Sequence, residues 1–184
     1  MPRASLEIRK PTTFAPYFHK IKENLYLLRT PDRPEYAELV DAPSLVEVVR
    51  MAGHIFRFLF IDLPAGFNPL SIAVSNFANT NFVVAMINTG LEVDHMKRSL
   101  DLLRTGTKRI EHHCPIFTRV NPCTAEEKLK MELQLGYPIT AGFPNEYNLV
   151  SIANSGRILY GLPEDTLMMK TINELADEII AGKL

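Results

Sequence analysis

The chain has 184 residues, of which 46% are hydrophobic and 22% are charged, and its formal net charge is -1. These values are ordinary for one soluble globular domain, and the absence of a basic surplus disfavours nucleic acid as the main partner. Two cysteines are too few for a disulfide framework, and no apolar run approaches the ~20 residues of a membrane span. We therefore expect a cytoplasmic protein without a transmembrane segment.

The first elements are predicted from short apolar runs and their boundaries. Residues 1–20 are mixed and basic, and prolines interrupt them, so we predict an irregular N-terminal arm there. The apolar run at 24–29 has the length of a strand. Ser44 and Glu47 have the spacing of a capping box, which predicts the start of a helix that Gly53 ends.

The segment that follows resembles a buried strand with a carboxylate at its end. Residues 58–61 are all apolar, Asp62 comes directly after them, and Gly66 lies in the following loop. Many phosphate-handling proteins place a magnesium-coordinating aspartate in this way. Asn68 then precedes a proline, which predicts the N-cap of a short helix over 70–77.

The second half of the chain alternates strands and helices. We predict strands over 82–86, 115–118 and 138–143, and helices over 91–104, 124–136, 145–156 and 164–181. Thr124 and Glu127 form a second capping box. Apolar strands of four to six residues without alternation indicate burial on both faces, as in a mostly parallel sheet between helices. The predicted fold is therefore a three-layer α/β/α domain over residues 21–184.

Residues 58–69, FLFIDLPAGFNP, resemble the second acidic motif of the MinD/ParA-type ATPases, the deviant Walker (SIMIBI) group of P-loop proteins. The likeness is greatest to CpaE/TadZ-like proteins, which are linked to localisation and assembly of Flp-type pili. Other stretches fit the same family in register: 23–35, 79–84, 118–121, 135–138, 143–147 and 153–156. The resemblance implies a P-loop-NTPase-like fold.

The family's phosphate-binding loop is missing from these 184 residues. None of the nine glycines begins the pattern G-x-x-x-x-G-K-[ST], whose amides and lysine surround the phosphates. The resemblance implies that the strand leading into this loop is missing from mid-sheet as well. A replacement strand has three open sources: residues 5–8, a second chain, or a longer polypeptide of which these residues are a part.

The resemblance assigns nucleotide-site roles to five positions. Asp62 would hold Mg²⁺ through water, and the Gly66 amide would face a γ-phosphate. Thr118 stands where the family commonly has the asparagine that binds the base, and Arg119 follows it. A threonine hydroxyl cannot make the two-point contact of an amide. Pro144 lies with Asp62 at the crevice beyond the carboxyl ends of the strands.

The missing lysine and amide cradle lead to the functional hypothesis. Phosphoryl transfer depends on positioning and charge stabilisation, so we expect negligible hydrolysis, no catalytic residue and no cofactor for this chain alone. Mg-ATP would bind only if a P-loop is supplied elsewhere. The leading hypothesis is a degenerate, non-catalytic assembly or positioning factor whose partners are pilus or secretion proteins, or the same chain as a homodimer.

Other interpretations stay open beside this one. The chain could be the C-terminal part of an active MinD/CpaE-like ATPase whose P-loop lies on another chain or upstream. A small-molecule binder that uses the crevice around Asp62 and Pro144 is a third hypothesis. Residues 112–114 with Cys123 invite a metal interpretation, although zinc sites want paired ligands at tight spacing.

Overall fold

A computed structural model of the chain describes residues 15–28, 33–88, 90–106, 113–120, 124–157 and 161–184. Backbone packing divides the chain into two units, Met1–Phe77 and Ala78–Leu184. The single domain expected over 21–184 stays a prediction.

The described part of the first unit contains a hairpin and two helices. β1 (Phe18–Lys22) pairs antiparallel with β2 (Leu25–Leu28), and Asn24 turns the chain between them with a left-handed φ of 60°. The strand predicted at 24–29 is thereby confirmed, whereas residues 18–20 are not irregular as expected. The helices are α1 (Ala42–Gly53) and α2 (Pro69–Phe77), which pack together. Short 3-10 turns occupy Ala15–Tyr17 and Pro34–Leu39.

An aromatic contact joins the hairpin to α1. Met51 and Ala52 are buried on α1, and Phe18 and Phe56 pack against them. The rings of Phe18 and Phe56 meet edge to face, and their centroids are 4.7 Å apart. The ring centroids of Tyr26 and Phe56 are 5.3 Å apart. Edge-to-face pairs of this kind add to the burial of the rings, so Phe56 anchors the hairpin on the helix.

The strand predicted over 58–61 is wrong. These residues have no strand partner in the described part of the chain and no regular secondary structure. Phe60 is 75% exposed, so the run is not buried either. Apolar character alone does not make a strand, because a strand is held by the backbone hydrogen bonds of a neighbour.

The start of α1 also differs from the capping box predicted at Ser44. Asp41 is the N-cap, and its carboxylate accepts the Ser44 amide at 2.7 Å. Glu47 instead accepts from Arg50 at 2.7 Å, one turn further along the helix. The two carboxylates therefore hold different parts of the helix.

The second unit is built on a parallel sheet of three strands in the order β3-β4-β5. The strands are β3 (Asn81–Met86), β4 (His113–Thr118) and β5 (Ala141–Phe143). The helices are α3 (Leu91–Gly106), α4 (Ala125–Leu135), α5 (Leu149–Asn154) and α6 (Leu167–Ile180). All three predicted strands are confirmed, with the last one shorter than expected.

Helices lie on both faces of this sheet. On one face, Val83, Ala85 and Phe117 pack into a core with residues of α3 and α4. On the other face, Cys114 and Ile116 are buried, and Glu178 of α6 is close enough to influence the Cys114 thiol. The sheet therefore has the α/β/α layering predicted from the sequence.

The helix ends of this unit agree with the sequence at α4 and differ at the starts of α5 and α6. The Thr124 hydroxyl accepts the Glu127 amide, and Glu127 accepts the Thr124 amide at 2.7 Å, so this capping box is confirmed. Asn145 is not a cap, because α5 begins only at Leu149 after Asn148. The last helix begins after Thr166, which accepts the Met169 amide.

The capping box of α4 gives a testable stability difference. We expect Thr124→Ala to lower the free energy of unfolding by about 1 kcal/mol, because the Glu127 amide loses its acceptor. The matched control is Thr105→Ala near the end of α3, where the hydroxyl bonds only the Leu102 carbonyl of its own helix. The control should change the same free energy by less than about 0.5 kcal/mol in urea unfolding. Equal losses in both variants would contradict the assignment.

Candidate functional site

The candidate site in the second unit lies at the carboxyl ends of its parallel strands. In a parallel sheet these ends meet at one edge, where ligands of α/β proteins commonly bind. The Ile87 amide after β3 donates to the Thr118 carbonyl at 3.0 Å, and the Val120 amide after β4 donates to the Phe143 carbonyl at 3.0 Å. Residues 87–88, 118–120 and Pro144 form what we call the carboxyl edge. Three of the five predicted site residues, Thr118, Arg119 and Pro144, lie on it.

Arg119 has an unusual backbone conformation at this edge. Its φ is +58°, which costs a residue with a side chain roughly 1–2 kcal/mol relative to a right-handed conformation. The turn it makes brings the amide of Val120 to the Phe143 carbonyl. The Arg119 side chain is exposed. The edge therefore presents a guanidinium on a backbone turn held by a hydrogen bond.

The remaining groups of the carboxyl edge are small or neutral. Thr118 is the last residue of β4 and is half-buried, as is Pro144 directly after β5. The exposed guanidinium of Arg119 suits an anionic group such as a carboxylate or a phosphate. The carboxyl edge therefore offers binding chemistry through one cation.

Asp62 and Gly66 lie in the first unit. Asp62 is exposed on a segment without regular secondary structure, and Gly66 follows it with a φ of +111°. A β-carbon on Gly66 would meet no atom within 4 Å, so the left-handed conformation, and not crowding, favours glycine there. Asn68 then caps α2, and its side chain accepts the Ser71 amide at 2.8 Å. The nucleotide roles of Asp62 and Gly66 stay predictions.

The expectation that this chain alone holds no cofactor stays a prediction. The 184 residues contain no G-x-x-x-x-G-K-[ST] loop, and the described part of the carboxyl edge contributes one cation, Arg119. In the described ranges, no three His, Cys, Asp or Glu side chains group in a way that could hold a metal ion.

Only two of the residues in the metal interpretation, His113 and Cys114, lie in the described part of the chain. His113 and Cys114 are buried in β4, whereas residues 112 and 123 lie outside the described residues. Burial raises the pKa of the Cys114 thiol, so the reactive thiolate form is disfavoured. The described part of this group behaves as a packed strand.

Sequence reasoning missed one polar residue of the carboxyl edge. Asn88 follows β3 by two residues and is exposed. The available signal was a polar side chain shortly after a buried apolar strand, the same signal that singled out Asp62. Its amide adds a donor and an acceptor to the edge.

Comparison with solved structures identifies the fold. The structure of a ParA family ATPase from Chlorobium tepidum TLS matches with a TM-score of 0.78 and 16% sequence identity, over 90% of this chain and 69% of that chain. At this identity the likeness concerns the fold alone, so the chain has a ParA-like, P-loop-NTPase-type α/β fold. No family model matches the chain, and no curated protein matches its sequence.

No helix in the described ranges is both long enough and apolar enough to cross a bilayer.

The conformation of Arg119 gives a second testable prediction. We expect Arg119→Gly to leave the protein as stable or to stabilise it by up to about 1 kcal/mol, because glycine adopts a positive φ without strain. The control, Arg98→Gly inside α3, should lower the free energy of unfolding by about 1 kcal/mol. Thermal unfolding of both variants measures the difference. A loss at position 119 as large as that at position 98 would show that the left-handed conformation is not strained.

Proposed function

We propose that the chain is a non-catalytic, degenerate MinD/ParA-like protein that acts as an assembly or positioning factor. One observation carries the proposal: a ParA-like fold is combined with 184 residues that contain no phosphate-binding loop. An ATPase of this fold needs backbone amides and a lysine around the phosphates, because charge stabilisation supplies most of the rate. Retention of the fold without this cradle favours a role in binding proteins over a role in hydrolysis.

The chemistry of the carboxyl edge supports this proposal. Arg119 and Thr118 can hold a single anionic group. The triphosphate of ATP, without its magnesium ion, carries about four negative charges. One guanidinium neutralises a small part of that charge. An acidic side chain of a partner protein is a better match for this edge than a nucleotide.

The kind of partner rests on sequence resemblance. The stretches at 58–69, 118–121 and 153–156 resemble CpaE/TadZ-like proteins, and these are linked to assembly of Flp-type pili. We therefore propose pilus or secretion proteins as partners, in the cytoplasm, with a homodimer as the working form. The resemblance supports this choice and the fold does not distinguish it from other assembly roles.

A second candidate function is the C-terminal part of an active MinD/CpaE-like ATPase. The 69% coverage of the ParA family ATPase favours it, because about a third of that chain has no counterpart in the match. The missing P-loop would then lie upstream in a longer polypeptide or on another chain. The mass of the natural protein in cell extracts tests the longer polypeptide, because a polypeptide that also contains the P-loop upstream must have a mass above 20.8 kDa.

Calorimetric titration with Mg-ATP tests the proposed function. We expect no binding tighter than about 100 μM by the purified chain, because the phosphates find no lysine and no amide cradle. Asp62→Ala serves as the matched variant and should behave identically. Binding in the micromolar range that Asp62→Ala abolishes, or magnesium-dependent turnover, would contradict a non-catalytic role.

A further inference from the structure

β3 leaves one of its edges without a strand partner among the described residues. Its six residues pair only with β4, in a register from Asn81 opposite His113 to Met86 opposite Thr118. The Ile87 amide donates to Thr118, and backbone groups alternate in direction along a strand. The N–H and C=O groups of Phe82, Val84 and Met86 therefore point away from β4, towards the open edge.

The side chains of the same three residues lie on an incompletely covered face. Val84 pairs with Ile116 and shares its face of the sheet, yet Val84 is 60% exposed whereas Ile116 is 4% exposed. Met86 is also exposed. This face is thus covered over β4 and open over β3. An apolar strand without cover on one edge and one face is a surface for association.

None of the usual protections of an open edge occurs in β3. Natural proteins place charged residues, prolines or bulges on such strands to prevent pairing. The sequence of β3, NFVVAM, contains no charge and no proline, and its pairing with β4 shows no register shift. Two copies of this strand therefore meet without repulsion between like charges.

The strand is complementary to itself in the antiparallel orientation. With a two-fold axis at Val84, the two Val84 residues face each other, and Phe82 faces Met86 of the second copy. All three outward-pointing residues then form hydrogen-bonded pairs, which gives about six backbone hydrogen bonds. Each phenylalanine ring lies beside a methionine side chain, a favourable contact between sulfur and an aromatic ring.

We propose that β3 is the dimerisation edge of this protein and that its partner is a second copy of the chain. Antiparallel pairing about Val84 joins the two three-stranded sheets into one sheet of six strands with two-fold symmetry. A two-fold interface closes on itself, so the product is a dimer and not a polymer. This inference rests on the proposed function in one respect, because it names the surface of the homodimer proposed there.

Light scattering of the purified chain tests the dimer. We expect a mass twice the 20.8 kDa of one chain, and weakening of dimerisation by at least about tenfold in Val84→Lys, since two ammonium groups would then face each other. Val84 is exposed in the single chain, so the lysine is compatible with its fold, which circular dichroism checks. The matched control is Val150→Lys on α5, where the valine is 69% exposed. It should leave the dimer unchanged.

Cysteine cross-linking tests the position of the axis. In a hydrogen-bonded antiparallel pair the two α-carbons are about 5.5 Å apart, within the range of a disulfide. Val84→Cys should therefore form a covalent dimer on mild oxidation, whereas Val150→Cys and the unchanged chain should not.

Several results would overturn the proposal. A single-chain mass at about 100 μM would show that the edge does not bind a second copy. A dimer that Val84→Lys does not weaken would place the interface elsewhere, and a mass that grows without limit would exclude two-fold closure. Binding of Mg-ATP would contradict the non-catalytic role and leave the dimer unaffected, whereas a single-chain mass would contradict the dimer and leave the non-catalytic role unaffected, so the two failures are distinguishable.

Discussion

The pairing of β3 with β4 is the interaction on which the second unit depends. Its register sets which side chains of both strands enter the core with α3 and α4, and which lie on the opposite face. The same pairing places the residues after each strand at one edge, where Thr118 and Arg119 lie. Within the part of the chain that the structure describes, it also leaves the other side of β3 open, because a strand has two hydrogen-bonding edges and only one is used there.

The open edge of β3 combines exposed backbone groups with exposed apolar side chains. A strand as apolar as β3 is typical of the interior of a parallel sheet, where both neighbours and both faces are covered. A strand of this kind with one neighbour among the described residues exposes both kinds of group together, as Val84 and Met86 show. In our proposal, a second copy of the chain restores the missing hydrogen bonds without restoring a nucleotide site. The fold would then serve association instead of catalysis.

Local chemistry made much of the fold predictable from the sequence. Continuous apolar runs located β3 and β4, and the Thr124 capping box and Gly136 located both ends of α4. The run at 58–61 is at least as apolar as β3, yet it forms no strand. The difference lies in the availability of a partner, which is a tertiary property that one segment cannot encode. The N-cap of α1 was missed because Asp41 and Ser44 are both good caps, and the proline in the first turn favours Asp41.

The candidate site was predictable only in part. The carboxyl ends of predicted parallel strands pointed to Thr118 and Pro144, and the resemblance added Arg119. The left-handed conformation of Arg119 was not predictable, because it follows from the hydrogen bond that Val120 makes with Phe143. Asp62 belongs to a different unit from these residues. The order of motifs along the sequence therefore does not predict its distance from them.

Amide hydrogen exchange along β3 tests the central claim, that β3 is the end strand of its sheet, most directly. The measurement is made at a concentration where light scattering shows single chains. The account predicts slow exchange for the amides of Val83, Ala85 and Ile87, which face β4, and exchange at least about tenfold faster for Phe82, Val84 and Met86. Equal protection of all six amides in the single chain would contradict it, because both edges of β3 would then be paired.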